Sequence, residues 1–497
     1  MKTFKLIILI LCVGAGLSYG QAGHKNLSTI RVRFHYPYKK VPDSLSIWSY
    51  PNANYRETSV DFDILKNEKN EFDFIFPVKV AVLNYRINMV ENQSHTQIGN
   101  YFTVPGDQIS LDIYETKGDD SLVFSGRGSS KYRLITSLIA QEARKYAQLP
   151  QMKTYSSAEK LQERLENTVN ILKGCVKKKQ ELINAADPKM GKMMKEIISS
   201  HYANYGTIWT DYLMEIRSRN KDNATFHPII AKHFNSYYKL LLGNSTVAST
   251  FSHRHFQLLL GMLRNPFIFN NQHSEVDLKG LYDVAKNYST IPKIRDRLLC
   301  EFFETGGGYP TNFKQTVFDS LLLDAVPYMT SPAGKEFMAT NLLFKKGKKL
   351  FDAEFTDLKG NKFKPSDLKG KVFLIDAWGE GCGGCVMFHE WFETNLWPEL
   401  KDLKDFVVLS IFDGLKKEDW ARGIASKRYT SDHYLNVSDI PVRMADHPFF
   451  KYYKVNALPF LLLVDKNGNV VQKFNGNMTK DGFLKLLKDC LESPYPI

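Results

Sequence analysis

The sequence predicts a multidomain protein with an N-terminal all-β sandwich-like domain, a central α-helical region and a C-terminal α/β domain. Three observations predict it. Apolar residues alternate with a period of two in short stretches up to about residue 128. They recur every three or four residues between 129 and 349. From 350 to 497, strands of the fully buried type alternate with helices.

Lys2 and Lys5 precede a 12-residue apolar run, Leu6 to Leu17, and Ser18-Tyr19-Gly20 follows with small residues at a cleavage site. That order reads as an export signal over residues 1–20. The run is shorter than the roughly 20 residues a membrane span needs. Cys12 follows the bulky Leu11 where a lipid-attachment motif wants a small residue, so lipidation is rejected. No later segment reaches membrane-spanning length. The chain is therefore expected in the periplasm or cell envelope. At 497 residues it exceeds one ordinary core, and 43 % hydrophobic with 24 % charged residues is globular. The charge of +13 falls to +11 without Lys2 and Lys5. Apart from Lys177–Lys179 and the run Lys345-Lys346-Gly347-Lys348-Lys349, the lysines are scattered, which reads as solvated surface. An exported chain has no nucleic acid to meet.

In residues 21–128, Ile30, Val32 and Phe34 alternate with Arg31, Arg33 and His35, and Phe72, Phe74 and Phe76 repeat the pattern. Tyr101–Val104 runs into a Pro105-Gly106-Asp107 turn before Ile109, Leu111 and Ile113 alternate again. In residues 129–349, Ser156-Ser157-Ala158-Glu159 reads as a capping box. Leu161, Leu165, Val169, Leu172 and Val176 then share a helix face, with Cys175 beside it. Gly306-Gly307-Gly308 lacks the Lys-Ser/Thr ending of a phosphate loop and reads as a turn. His253 and His255 have no ligand cluster at metal spacing and read as ordinary histidines.

In residues 350–497, Phe355–Phe363 reads as a hairpin through Lys359-Gly360-Asn361-Lys362. Lys371–Trp378 and Phe406–Phe412 read as buried strands. Phe460–Val464 and Val470–Phe474 form a final hairpin, and the chain closes on an amphipathic helix through Cys490. The first buried strand leads into Gly381-Cys382-Gly383-Gly384-Cys385 and an apolar helix.

Five cysteines remain after signal cleavage: Cys175, Cys300, Cys382, Cys385 and Cys490. An odd number, with one close pair and three scattered singles, reads as a redox motif plus packing residues. A cysteine at a helix start meets the positive end of the helix dipole and unpaired N–H groups, which favour its thiolate. Cys382 is therefore the expected nucleophile, forming a mixed disulfide with the substrate, and Cys385, one turn later, resolves it. Gly383 and Gly384 allow the tight approach of the sulfurs. Asp376, six residues before Cys382 on a buried strand, should have a raised pKa and accept the proton of Cys385. His389, four residues after Cys385, is placed to tune it from the same helix face but reads as a surface histidine.

Asp376, Trp378, Cys382-Gly383-Gly384-Cys385 and the proline of Asn456-Ala457-Leu458-Pro459-Phe460 together resemble the TlpA/ResA-type envelope members of the thioredoxin superfamily. The resemblance covers roughly the last 145 residues. It implies a thioredoxin-like fold and a cis peptide before Pro459, its loop packed against the cysteines. It also implies that Leu458, Pro459 and Trp378 meet the substrate. The FTVPGD turn is similar to a β-rich N-terminal domain of unknown function that often precedes such domains. Three positions depart from the family. Gly381 replaces a large residue before the first cysteine, Gly384 replaces the usual proline between the cysteines, and Glu390 stands where relatives carry a helix-kinking proline.

A zinc site would need a second pair of ligands, and a peroxidatic cysteine would sit in a Pro- and Thr-bearing loop; neither pattern is present. The reading is a periplasmic thiol–disulfide oxidoreductase acting on protein or peptide cysteines, with no organic cofactor and no metal, and fed by a membrane electron donor if it is a reductant. Two other classes stay open: a thiol peroxidase, and an envelope binding or scaffold protein with a minor or regulatory redox site.

Overall fold

The computed structural model of the chain describes residues 27–492 apart from 51–59, 66, 68–70, 79, 92–93, 118–119, 147–148, 151–153, 203, 221, 271–276, 306–314, 443–445, 456 and 475–478. The export signal of residues 1–20, the Gly306-Gly307-Gly308 turn and Asn456 lie outside the described residues.

Eight strands open the described chain: β1 (Leu27–His35), β2 (Ser44–Tyr50), β3 (Val60–Leu65), β4 (Glu71–Pro77), β5 (Leu83–Glu91), β6 (Ser94–Thr103), β7 (Gln108–Tyr114) and β8 (Ser121–Arg127). They form two four-stranded sheets, ordered β4-β1-β7-β8 and β3-β2-β5-β6. The period of two does its expected work in β1, where Ile30, Val32 and Phe34 point inward. They meet Leu45, Ile47, Tyr85 and Ile87 of the second sheet in one core. The turn after β6 is held by Asp107, which accepts from Thr103 Oγ1 at 2.7 Å and from the Val104 amide at 3.0 Å. Gly106 supplies the φ of 86° the turn requires.

Ten α-helices follow among the described residues: α1 (Ser129–Tyr146), α2 (Ala158–Ala185), α3 (Lys192–His201), α4 (Tyr205–Arg219), α5 (Phe226–Leu242), α6 (His253–Asn270), α7 (Leu278–Asn287), α8 (Pro292–Thr305), α9 (Gln315–Ala325) and α10 (Pro332–Asn341). In α2 the predicted stripe Leu161, Leu165, Val169 and Leu172 is buried, but Cys175 completes it while Val176 is only partly covered. The N-cap is one residue later than the capping box placed it. Ser157 caps the amide of Lys160, and Glu159 stands in the first turn. Residue 128 marks a change of secondary structure but not of core. Tyr132 on α1 accepts a hydrogen bond from the Tyr85 hydroxyl at 2.9 Å, and residues from α1 to α5 share the core of the sandwich. A second core, which holds Cys300, gathers residues from Phe256 to Met338.

The C-terminal unit contains β9 (Phe355–Asp357), β10 (Lys362–Phe363), β11 (Val372–Gly379), α11 (Gly383–Asn395), α12 (Trp397–Leu400), β12 (Phe406–Asp413), α13 (Lys417–Ser426), β13 (Leu435–Ser438), α14 (Pro448–Tyr453), β14 (Phe460–Val464), β15 (Val470–Phe474) and α15 (Lys480–Glu492). Its sheet has the order β10-β9-β13-β12-β11-β14-β15. Strand β11 pairs parallel with β12 and antiparallel with β14, and every one of its residues is buried, as its apolar run predicts. One face of the sheet packs on α11 and α15 through Phe392, Leu396, Phe483 and Leu487. The other packs on α14 through Phe449, Phe450 and Tyr453.

The charge of the basic run at 345–349 and its Gly347 suit a joint between independently packed units, but the run is built into the C-terminal sheet. Gly347 N–H donates to the Val470 carbonyl and Val470 N–H to the Lys348 carbonyl, both at 2.8 Å, so the run pairs along β15. Just before it, Phe344 is buried in the C-terminal core against Tyr453 and Phe460. Lys348 and Lys349 are exposed and Lys345 and Lys346 half-buried, while the backbone of the run completes a sheet edge.

Candidate functional site

Cys382 is the N-cap of α11. Its Sγ accepts the Cys385 amide at 3.1 Å and is bonded to Cys385 Sγ at 1.97 Å, with 5.3 Å between the two Cα atoms. Cys382 is half-buried whereas Cys385 is 1 % exposed. The local sequence explains the geometry. Gly381 has a φ of 84°, a conformation that strains any side chain, and its amide donates to the Tyr429 hydroxyl at 3.1 Å. At that φ a glycine sits without strain, which accounts for Gly381 in this chain.

The peptide between Leu458 and Pro459 is cis, as the resemblance implied. Its loop lies against the disulfide. A Cβ placed on Gly384 would be 3.2 Å from Pro459 Cδ, and one on Gly379 would be 3.2 Å from Leu458 Cδ1. Leu458 and Pro459 are both half-buried, so their outer surface is open beside Cys382.

Asp376 lies on β11 with the parity of Leu374 and Trp378. Leu374 packs with Phe392 of α11, and Trp378 packs with Cys385, so Asp376 faces the underside of the same helix between them. It is 2 % exposed, and its Oδ1 has no hydrogen-bond partner. Burial alone pushes its carboxyl from 3.8 up to about 8. A carboxyl so placed can hold or take up a proton near neutral pH.

Trp378 does not meet the surface. It is fully buried, donates from Nε1 to Ser410 Oγ at 2.8 Å and stacks on Tyr429 at 5.2 Å. A side chain with no exposed area supports the site from below and cannot touch a substrate, which corrects the expectation for this residue. His389 is likewise not a surface histidine; it is 3 % exposed on the inner face of α11. Glu390 is exposed and α11 runs through it without interruption.

Sequence reasoning missed the segment that cradles the site. Tyr429 supports Gly381, Thr430 joins Ser410 at 2.8 Å, and Ser431 donates to Glu393 of α11 at 3.1 Å. His433 Nε2 meets the same Glu393 oxygen at 3.1 Å, and the Tyr434 hydroxyl donates to it. The only signal was a dense polar and aromatic run, Tyr429-Thr430-Ser431-Asp432-His433-Tyr434, without helical or strand periodicity.

Away from this site, the fold brings His253 together with Glu301 and Glu304, ligand atoms within 4.8 Å of one another. Arg297 already fills that cluster, 2.8 Å from His253 Nδ1 and 3.1 Å from Glu301. A buried guanidinium there makes it an ion-pair network. Cys175, Cys300 and Cys490 are buried thiols outside any disulfide, and burial pushes Cys490 up to about 12, which makes it inert.

A disulfide at a helix start, a cis-proline loop against it and a buried acid beneath the helix, on a mixed central sheet, define a thioredoxin-like oxidoreductase. The Redoxin family model matches residues 345–487. The chain is similar to a thiol-disulfide oxidoreductase ResA of Bacillus cereus, at 31 % identity over 136 residues, 27 % of this chain and 72 % of the relative. It is also similar to the ResA of Bacillus anthracis, at 30 % identity over 28 % of this chain and 76 % of that protein. Among solved structures, the thioredoxin domain of a thiol-disulfide oxidoreductase from Bacteroides vulgatus aligns at 24 % identity and a TM-score of 0.25, over 29 % of this chain and 97 % of that one. The chain belongs to the TlpA/ResA-type thiol–disulfide oxidoreductases of the thioredoxin superfamily.

Proposed function

We propose that this chain works in the periplasm as a thiol–disulfide oxidoreductase whose Cys382–Cys385 pair exchanges disulfides with protein or peptide cysteines. The observation that carries the reading is the sulfur of Cys382 at the N-terminus of α11, accepting an amide hydrogen bond, with Asp376 buried beneath the same helix. In the reducing direction the Cys382 thiolate attacks one sulfur of a substrate disulfide and releases the other as a thiolate, which takes a proton from water. Cys385 gives its proton to the Asp376 carboxylate and attacks Cys382 Sγ. The second substrate sulfur leaves as a thiolate, so the substrate gains two electrons and the protein becomes the disulfide. The two sulfurs carry both electrons, so the step requires no organic cofactor. A dithiol donor, in a reductant one fed from the membrane, restores the pair.

The half-buried surface of Leu458 and Pro459 supports a substrate backbone laid beside Cys382. Export rests on the basic, apolar and small-residue order of residues 1–20. Among the described residues no helix is long and apolar enough to cross a membrane. We assign substrate choice to the β-rich and helical regions. The helical region holds a cavity of about 600 Å³ between α2, α3 and the end of α5, lined by Lys179, Lys195, Glu196, Tyr205 and His255 among others.

Cys382→Ser tests the reading. It should abolish disulfide reduction with insulin and with envelope proteins, whereas a binding protein with an incidental redox site would keep its cellular function. Peroxide consumption that outpaces disulfide reduction in the unsubstituted protein would favour the peroxidase. In the reduced protein, iodoacetamide should label Cys382 first and at lower pH than Cys385, because Cys382 is both more exposed and at the helix start. Faster labelling of Cys385 would reverse the assignment of roles.

A further inference from the structure

Asp376 is 2 % exposed, and a proton it takes from Cys385 must still reach solvent. The inner face of α11 carries Cys385, His389 and Phe392, all buried. His389 stands one turn beyond Cys385 on that face, opposite the side of β11 that presents Asp376. Tyr434 stands beside His389. Its ring packs edge-on against His389 at 5.8 Å, and the Asp376 charge acts on its phenol. On these facing elements Asp376 Oδ1 is buried with no hydrogen-bond partner, and His389 Nδ1 is buried with no side-chain partner, the Lys427 backbone lying beside the ring. One proton or one water shared between them would satisfy both.

From His389 the polar contacts run outward. Nε2 lies 3.5 Å from Ser431 Oγ, and Ser431 Oγ donates to Glu393 Oε1 at 3.1 Å. The Glu393 side chain is 27 % exposed, and its partner His433 is 40 % exposed, so the chain ends at solvent. We propose that His389, with Ser431 and Glu393, is the path by which the proton of the resolving step passes between Asp376 and water. This rests on the role given to Asp376 above.

The steps balance. Cys385 Sγ–H gives its proton to the Asp376 carboxylate, the Asp376 carboxyl gives it to the neutral imidazole, and the imidazolium passes it through the Ser431 hydroxyl to Glu393 and then to water. The groups facing His389 set its readiness. Burial holds its pKa below the usual histidine range, with His433 acting in the same direction. Glu393 and Glu390 on its own helix and the Lys427 backbone pull it back up. The imidazole is thus neutral at rest, able to accept a proton and quick to release it. Because His389 touches neither substrate nor sulfur, it is a positioning and proton-transfer residue, not a catalytic one.

The test separates the two half-steps in the full chain. Reduced protein is mixed with 5,5′-dithiobis(2-nitrobenzoate). The first nitrothiobenzoate released reports attack by Cys382, and the second reports resolution by Cys385. His389→Leu and Glu393→Gln should leave the first phase unchanged and slow the second by about tenfold or more at pH 7. The pH profile of the second phase should shift, and imidazole buffer should restore part of the lost rate in His389→Leu. His389→Gln, which keeps the contact with Ser431 but cannot carry a proton in this way, guards against a variant that fails to fold; it too should be slow. A second phase in His389→Gln that superposes on the unsubstituted profile across pH would overturn the relay. If Asp376→Asn leaves the second phase unchanged, the role of Asp376 itself fails. If Asp376→Asn is slow while His389→Gln is normal, only the relay fails.

Discussion

Asp376→Asn will stabilise the oxidised protein, and by about three to four times more at pH 8 than at pH 5. Burial raises this carboxyl from 3.8 to about 8 in the folded chain, while in the unfolded chain it stays near its ordinary value. Between those values the native state holds a proton that the unfolded state has lost. Unfolding then releases a proton, so stability falls as the pH rises from about 4 to about 8 and is level outside that window. Integrated over the window, the loss has a ceiling of about 6 kcal/mol, which water penetration and local relaxation reduce. Asparagine matches the protonated acid in shape and in its buried polar atoms but cannot ionise, so the slope disappears. Urea unfolding followed in the C-terminal unit at pH 5 and pH 8 checks this. Parallel slopes for the two proteins over that range would show that the acid is not buried as described. The same variant should slow mixed-disulfide resolution by about tenfold to a hundredfold at pH 7. The buried acid therefore costs stability where it serves exchange.

A C-terminal fragment that begins at Leu350 will be far less stable than one that begins at Leu342. The shorter fragment lacks Phe344, which fills the core against Tyr453 and Phe460, and the backbone pairs of Gly347 and Lys348 with Val470. Removing a buried phenylalanine costs about 3–5 kcal/mol. Two lost backbone hydrogen bonds add about 1–3 kcal/mol. The total approaches the whole stability of an ordinary domain. The fragment from Leu342 should fold, show a cooperative melt and reduce a small disulfide at the rate of the full chain, while losing preference among protein substrates. The fragment from Leu350 should melt tens of degrees lower or not fold at all. Equal melting temperatures would show that the 344–349 segment is peripheral.

What the sequence determined by itself lies wherever one local pattern settles the structure. The buried run Lys371–Trp378, the Lys359–Lys362 turn and the Gly381–Cys385 start of α11 each state their conformation within a few residues. Asp376 was legible because a carboxylate in an otherwise apolar strand has nowhere to go but the interior. The cis peptide before Pro459 was legible only through resemblance, since proline alone does not specify the isomer.

Only the tertiary structure decided what depends on partners distant in the chain. Phe344 and the lysine run look like a linker until Val470, more than a hundred residues later, offers a sheet edge. His389 reads as a surface residue because its neighbours Glu390 and Glu393 are charged; it is buried because Ser431 and Tyr434 close over α11 from another element. Trp378 reads as part of a binding surface until Tyr429 and Phe412 cover it. In each case side-chain periodicity reports which face is apolar, but it does not say which segment will pack on that face, because burial is set by long-range contacts that leave no local trace in the pattern.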